Sequence, residues 1–108
     1  MKEKIICSAI WYKDFPLIKD EELKGFCRPL NCEKGMVFCG HRHHNCMYQM
    51  IAISGKYQHQ AGEEIQGFLT NKNRFVNRKE AFVIAEKNNQ IIDIKQATSN
   101  SLYSEDLY

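Results

Sequence analysis

The chain has 108 residues, a length that suits one domain with a modest core, and residues 1–108 read as a single unit. Its formal net charge is only +2, too weak for an electrostatic binder of nucleic-acid polymers, and it has no signal peptide and no apolar run long enough to cross a bilayer. Five cysteines (Cys7, Cys27, Cys32, Cys39 and Cys46) form no Cys-x-x-Cys pair, so the expectation is free thiols in a reducing cytoplasm, not a disulfide framework.

In chain order, Lys4–Tyr12 is rich in β-branched and aromatic residues and predicts a strand. Ile6, Ser8, Ile10 and Tyr12 fall on one face at period two, and Ile5, Cys7, Ala9 and Trp11 on the other. Residues 13–34 carry both prolines, Gly25 and many charges, and read as an irregular connection with one helical turn at Asp20–Lys24. Met36–Cys39 predicts a second strand, ended by Gly40. From His44 to Ser54 the apolar spacing turns helical through Cys46, Met47, Met50 and Ile51, and Gly55 is placed to stop the helix. A polar loop at 56–62 leads to a third strand at Glu64–Thr70 and a turn at Asn71–Asn73. Asn77 caps a second helix, and Glu80 three residues on completes a capping box. Ala81, Ile84, Ala85 and Asn88 lie along one side of that helix, which Asn88-Asn89 ends. Ile91–Lys95 predicts a last strand. The expected fold is a small α+β domain, with an antiparallel or mixed sheet carrying two helices.

The tail holds Leu102, Tyr103, Leu107 and Tyr108, four large groups that a small core can barely cover. An oligomer interface or a lid beside a ligand is expected there. Residues 91–108 carry Asp93, Lys95, Glu105 and Asp106, net −2, so the other 90 residues carry +4. Glu105 and Asp106 are placed to orient Arg74, Arg78 or basic groups of another subunit.

Two basic stretches stand where helices begin. Gly40-His41-Arg42-His43-His44-Asn45-Cys46 precedes the first, and Lys72, Arg74, Arg78 and Lys79 surround the start of the second. A helix start offers unpaired N–H groups and partial positive charge, and arginine adds a planar fork of donors suited to phosphate. Arg42, His43, His44, Arg74 and Arg78 are therefore candidate phosphate ligands, and two such ends converging would suit a pyrophosphate or cyclic phosphodiester. Phe68 and Phe75 are candidates for stacking on a base.

Two competing chemistries use the same residues. If the strand ran past Gly40, Cys39, His41 and His43 would share one face as zinc-ligand types, with Cys46, Cys32 or His59 as a fourth ligand. A histidine-activated Cys39 or Cys46, or a histidine pair acting on a phosphodiester, would make an enzyme. No Gly-rich phosphate loop or serine elbow accompanies either. A phosphodiesterase-type enzyme degrading a cyclic nucleotide, with or without zinc, is the alternative reading, and a protein-interaction module is a third.

Taken together, Ile5-Ile6-Cys7-Ser8-Ala9-Ile10-Trp11-Tyr12, the Gly40–Cys46 string, Gln66–Thr70 followed by Asn73–Ala81, and the ending Leu102–Tyr108 resemble the first described family of phage anti-Thoeris proteins. The resemblance implies a non-enzymatic sponge with no cofactor and no metal. Such proteins bind a cyclic ADP-ribose isomer made by a bacterial Toll/interleukin-receptor-domain enzyme and hold it intact, so the NAD-consuming Thoeris effector is never switched on. Members form dimers that assemble into hexamers, and some also capture cyclic oligonucleotides of the CBASS system at separate sites. By resemblance, Arg42, Phe68 and Asn77 match ligand-contacting types, with Arg74 and Arg78 behind them. Asn71 and Asn77 stand where Ser and Asp are expected in many relatives, and a neutral Asn77 softens the local charge.

Overall fold

The computed structural model describes residues 2–23, 26–57, 62–94 and 100–108. The elements run β1 (Ile5–Tyr12), α1 (Asp20–Leu23), β2 (Met36–Gly40), α2 (His43–Ser54), β3 (Glu64–Thr70), β4 (Phe75–Asn77) and α3 (Arg78–Lys87), then a 3-10 turn at Ser104–Asp106. The strands form one antiparallel sheet in the order β2-β1-β3-β4. This is the expected α+β fold, with the antiparallel option realised.

Both helices longer than one turn lie on one face of the sheet. Ile10, Tyr12 and Phe38 pack there against Cys46 and Met50 of α2. Ile5, Phe68 and Val76 pack against Ala81, Phe82 and Ala85 of α3 and against Leu102 of the tail. Ser8 pairs with Phe68 and Phe68 with Val76, which places both clusters on the same side. The other face holds Ala9, Val37 and Phe75 with Cys32. Part of the connection covers it: the Trp11 indole donates to Lys34 O at 2.8 Å. Asn31 serves the outer edge of β4 as a stand-in strand, donating to Phe75 O at 2.6 Å and accepting from Phe75 N–H at 2.8 Å.

Local chemistry explains the helix ends. Gly55 adopts φ 73° and donates to Ile51 O, a left-handed stop that favours glycine. Asn77 accepts from Glu80 N–H at 2.8 Å, but the returning arm of the capping box is absent, because the Glu80 carboxylate pairs with Arg74 at 3.0 Å. At Gly67 a Cβ would lie 2.1 Å from Val76 O, so only glycine lets β4 approach β3 this closely.

Four expectations need correction. The register shifts between Ile5 and Cys7, so Ile5 pairs with Thr70 and joins the helix face, while Ile6 is about half exposed. β2 includes Gly40, and α2 begins one residue earlier than expected. β4 was not expected at all. The strand placed at Ile91–Lys95 is not formed over 91–94: β4 already occupies the outer edge of β3, Ile92 and Ile94 are exposed, and Ile92 N–H donates to Asp106 O at 2.8 Å. Lys95 and His59 lie outside the described residues. All five cysteines are free; Cys32 and Cys46 are buried.

Candidate functional site

The sheet brings the two helix starts together. β2 ends at Gly40 opposite Ser8, and α2 starts three residues later. β4 ends at Asn77 opposite Gly67, and α3 starts at the next residue. Ser8 also pairs with Phe68, so both helices begin at the same level of the sheet. They then run in opposite directions. Met50 of α2 packs in the Tyr12 cluster, while Asn88, just past α3, donates to Glu3 O at 2.7 Å. Two positive helix ends therefore meet over β1 and β3.

His43 ties the two starts together. Its Nε2 lies 2.8 Å from Gly67 O and its ring meets Phe68 edge-on at 5.1 Å. A carbonyl oxygen only accepts, so Nε2 carries the proton. Burial lowers the His43 pKa, and the nearby Arg78 charge works in the same direction against the hydrogen bond to Gly67 and the charge of Glu105.

The two arginines flank this junction. Arg42 is the extended N-cap residue of α2, with its N–H donating to Asn45 Oδ1 at 2.9 Å. Its Nη2 donates to Tyr108 O at 2.5 Å, and its Nη1 is buried with no hydrogen-bond partner among the described residues. Arg78 donates to Gln66 Oε1 at 2.6 Å and to Leu102 O at 2.9 Å, beneath the Tyr103 ring at 4.5 Å. His41 stacks on Tyr108 at 4.6 Å. The result is a shallow cationic junction roofed by the tail and floored by Phe68.

Residues 4–108, which include every one of these side chains, match the family of the phage T4 y16D protein. The chain belongs to that phage protein family. No curated protein and no solved structure matches it. Among the described residues of this y16D-family protein, no helix is long and apolar enough to cross a membrane.

The y16D-family fold gathers Arg42, His43 and Arg78, sets Phe68 beneath them and leaves Asn77 at the edge as the α3 cap. It does not gather the rest. His44 is exposed on α2, edge-on to Tyr48 at 6.3 Å. Arg74 sits by the far end of β3, paired with Glu3 at 2.8 and 3.0 Å and with Glu80. Phe75 lies on the opposite face of the sheet, edge-on to Trp11 at 5.9 Å. Stacking of a base on Phe68 and Phe75 is corrected accordingly, since Phe68 is fully buried and the sheet separates the two rings. His41, Gln66, Tyr103 and Tyr108 belong to the junction and were not among the candidate nucleotide ligands; His41 was weighed only for zinc, and the two tyrosines only as an interface or a lid. The tail's large side chains were a signal for the two tyrosines.

The zinc arrangement loses its premise, because the strand stops at Gly40 and period two ends with it. Among the described residues, no group of three or more His, Cys, Asp or Glu side chains is placed to hold a metal ion. Of the thiols weighed as nucleophiles, Cys46 is held protonated, whereas Cys39 shares a hydrogen bond with Cys7 that lowers the pKa of Cys7 to about 7. Burial pushes Cys46 up to about 12, and a hydrogen bond with Cys7 together with burial raises Cys39.

The His43 geometry sets a pH dependence. A histidine whose folded pKa is depressed leaves stability intact above the ordinary imidazole value. As pH falls below that value, the unfolded chain takes a proton that the folded chain resists, and stability drops. Urea midpoints measured from pH 7.5 to 5.5 are expected to fall more steeply for the wild type than for His43→Gln, whose side-chain amide can still donate to Gly67 O. Parallel curves would show that His43 is not titrated by folding.

Proposed function

We propose that this phage protein binds and sequesters a cyclic ADP-ribose-type immune signal without cleaving it, so that the Thoeris effector stays inactive. One observation carries the reading. Two helix starts meet beside Arg42 and Arg78, and Arg42 holds a buried N–H that has no partner among the described residues. A buried guanidinium N–H without an acceptor costs about 1–3 kcal/mol, and an anion oxygen is the acceptor that would relieve it. One helix start with one arginine suits one phosphate; two of each suit the pyrophosphate that joins the halves of a cyclic ADP-ribose. The resemblance to anti-Thoeris sponges and the membership of a phage family point the same way. Retention without cleavage is supported by the occupied Nε2 of His43 and by the buried, protonated Cys46 thiol. Assembly into dimers or hexamers is part of this reading, and exposed Ile18, Phe26, Leu30, Tyr48 and Ile53 leave apolar surface for it.

The test is retention and release. Protein incubated with cyclic ADP-ribose and passed through a size filter is expected to deplete the filtrate. Heating the retained protein is expected to return the nucleotide intact by chromatography. Linear ADP-ribose in the heated fraction would favour the hydrolytic alternative, and an undepleted filtrate would remove the sequestration reading.

A further inference from the structure

The face of the sheet turned away from both long helices carries a pair of thiols. Cys39 stands opposite Ala9 in the register, and Cys7 precedes Ala9 by two residues, so the two side chains leave the same face as diagonal neighbours. Cys7 pairs with Leu69 on its other side, and Cys39 packs into the cluster of Ala9, Val37 and Phe75. Both cysteines are partly exposed, whereas Cys32 and Cys46 are buried. The Cys39 thiol donates to the Cys7 sulfur, as does the Gly40 N–H. The bond from Cys39 is the main cause that pulls Cys7 down to about 7 against its partial burial. Cys39, the donor, is raised.

The two thiols are unequal in the way that thiol–disulfide exchange requires. At pH 7 a thiol that titrates near 7 is about half thiolate, against about one part in thirty for an ordinary thiol. Its weaker basicity cancels about four- to sixfold of that, leaving a net gain in rate of about three- to fourfold. Cys39 becomes reactive only afterwards. Once Cys7 is part of a disulfide it is no longer an anion, so the hydrogen bond and the negative charge that raise Cys39 disappear. Diagonal partners in a flat antiparallel ladder stand about 7–8 Å apart, a little beyond the span of a disulfide. The bulge between Ile5 and Cys7 sharpens the local twist, and β2 ends one residue past Cys39, so both strands have room to close that gap.

We infer that Cys7 and Cys39 form a thiol-modification site that takes low-molecular-weight disulfides and closes into a cross-strand bond between β1 and β2. The attacking sulfur is that of Cys7. Its thiolate attacks one sulfur of the small disulfide; that S–S bond breaks, and one small thiolate leaves and takes up a proton. Cys39 then gives up its proton, and its sulfur attacks the Cys7 sulfur and releases the second small thiolate, which is protonated in turn. In net terms two cysteine thiols are oxidised and the small disulfide is reduced to two thiols. The site lies on the opposite face of the sheet from Phe68 and the junction above it, and the inference does not rest on the sequestration reading.

Glutathione disulfide at pH 7 is the probe, and site-resolved mass spectrometry of acid-quenched digests is the readout. In the wild type, Cys7 is expected to pass through a glutathione adduct and to end in a peptide joined to Cys39. Cys39→Ser keeps an O–H donor but has no sulfur, so Cys7 should react at close to the wild-type initial rate and stop at the adduct. Cys39→Ala lacks the donor as well, so its Cys7 should react about three- to fourfold more slowly and stop at the same adduct. Three results would overturn the inference: Cys7 left unmodified in the wild type, a lasting wild-type adduct with Cys39 still reduced, or equal initial rates in all three proteins. Melting curves confirm that both variants keep the fold, and the wild-type arm stands without them.

Discussion

Alanine at position 42 is expected to weaken cyclic ADP-ribose binding by about 1.5–3 kcal/mol, roughly tenfold to more than a hundredfold in Kd. The loss is that of a charge-assisted, two-pronged contact at the start of α2. Stability is expected to respond differently. Arg42→Ala gives up the bond from Nη2 to Tyr108 O, a contact of a charged group worth about 1.5–3 kcal/mol, but it also removes a buried N–H that costs about 1–3 kcal/mol for want of a partner. The two terms offset, so the melting temperature should stay roughly level while affinity collapses. Lysine at the same position should fall between the two, since it keeps the charge but not the planar fork. Calorimetry and thermal melts on the same preparations check both arms. Unchanged affinity in Arg42→Ala would move the anion site away from the start of α2.

Phe68→Ala is expected to cost about 3–5 kcal/mol of folding stability, near the top of the range for emptying an aromatic site. Phe68 is fully buried among Ile5, Val76, Ala81, Phe82 and Leu102, contributed by β1, β4, α3 and the tail. These neighbours are held by sheet pairing and by the Leu102–Arg78 bond, so the cavity collapses poorly. The ring also braces His43 edge-on, so the molecules that remain folded should bind nucleotide more weakly. Phe68→Leu, which leaves a smaller void, should cost under about 1.5 kcal/mol. Urea unfolding with linear extrapolation decides, and a cost below about 1 kcal/mol for the alanine variant would show that the site repacks.

Much of the fold was readable because the signals were local. The β-branched and aromatic run marks Ile5–Tyr12, Gly55 supplies the left-handed stop, and Asn77 caps α3. β4 was not readable. Three residues are too few for alternation, and the outer partner of Phe75 is the Asn31 side chain from a distant loop. Ile91, Ile92 and Ile94 look like a strand by composition, but the edge they would join is already taken. The bulge that turns Ile5 onto the helix face leaves no mark in the residue types around it. At the site, cap chemistry marked the two basic helix starts, but neither their meeting nor the membership of the junction followed from it. His44 is next to His43 in sequence yet about 100° away around the helix. Arg74 is claimed by Glu3, a residue from the other end of the chain. That Tyr103 and Tyr108 rest on Arg78 and Arg42 depends on how the tail returns across the sheet, which no local pattern encodes.

The position of β1 inside the sheet also governs how the molecule comes together as it is made. β1 leaves the ribosome before either neighbour: Tyr12 meets Met36 on one side and Glu64 on the other, and Ile5 waits for Thr70. A nascent chain that stops short of Glu64 has β1, β2 and α2, but the flank of β1 meant for β3 is open, a template for any passing strand. The two helix starts are aligned through β1 and β3 together, so the junction is assembled in one late closure, after Arg78 has emerged. Incomplete chains would then fail by sticking to one another, and they would contribute no partial binding activity.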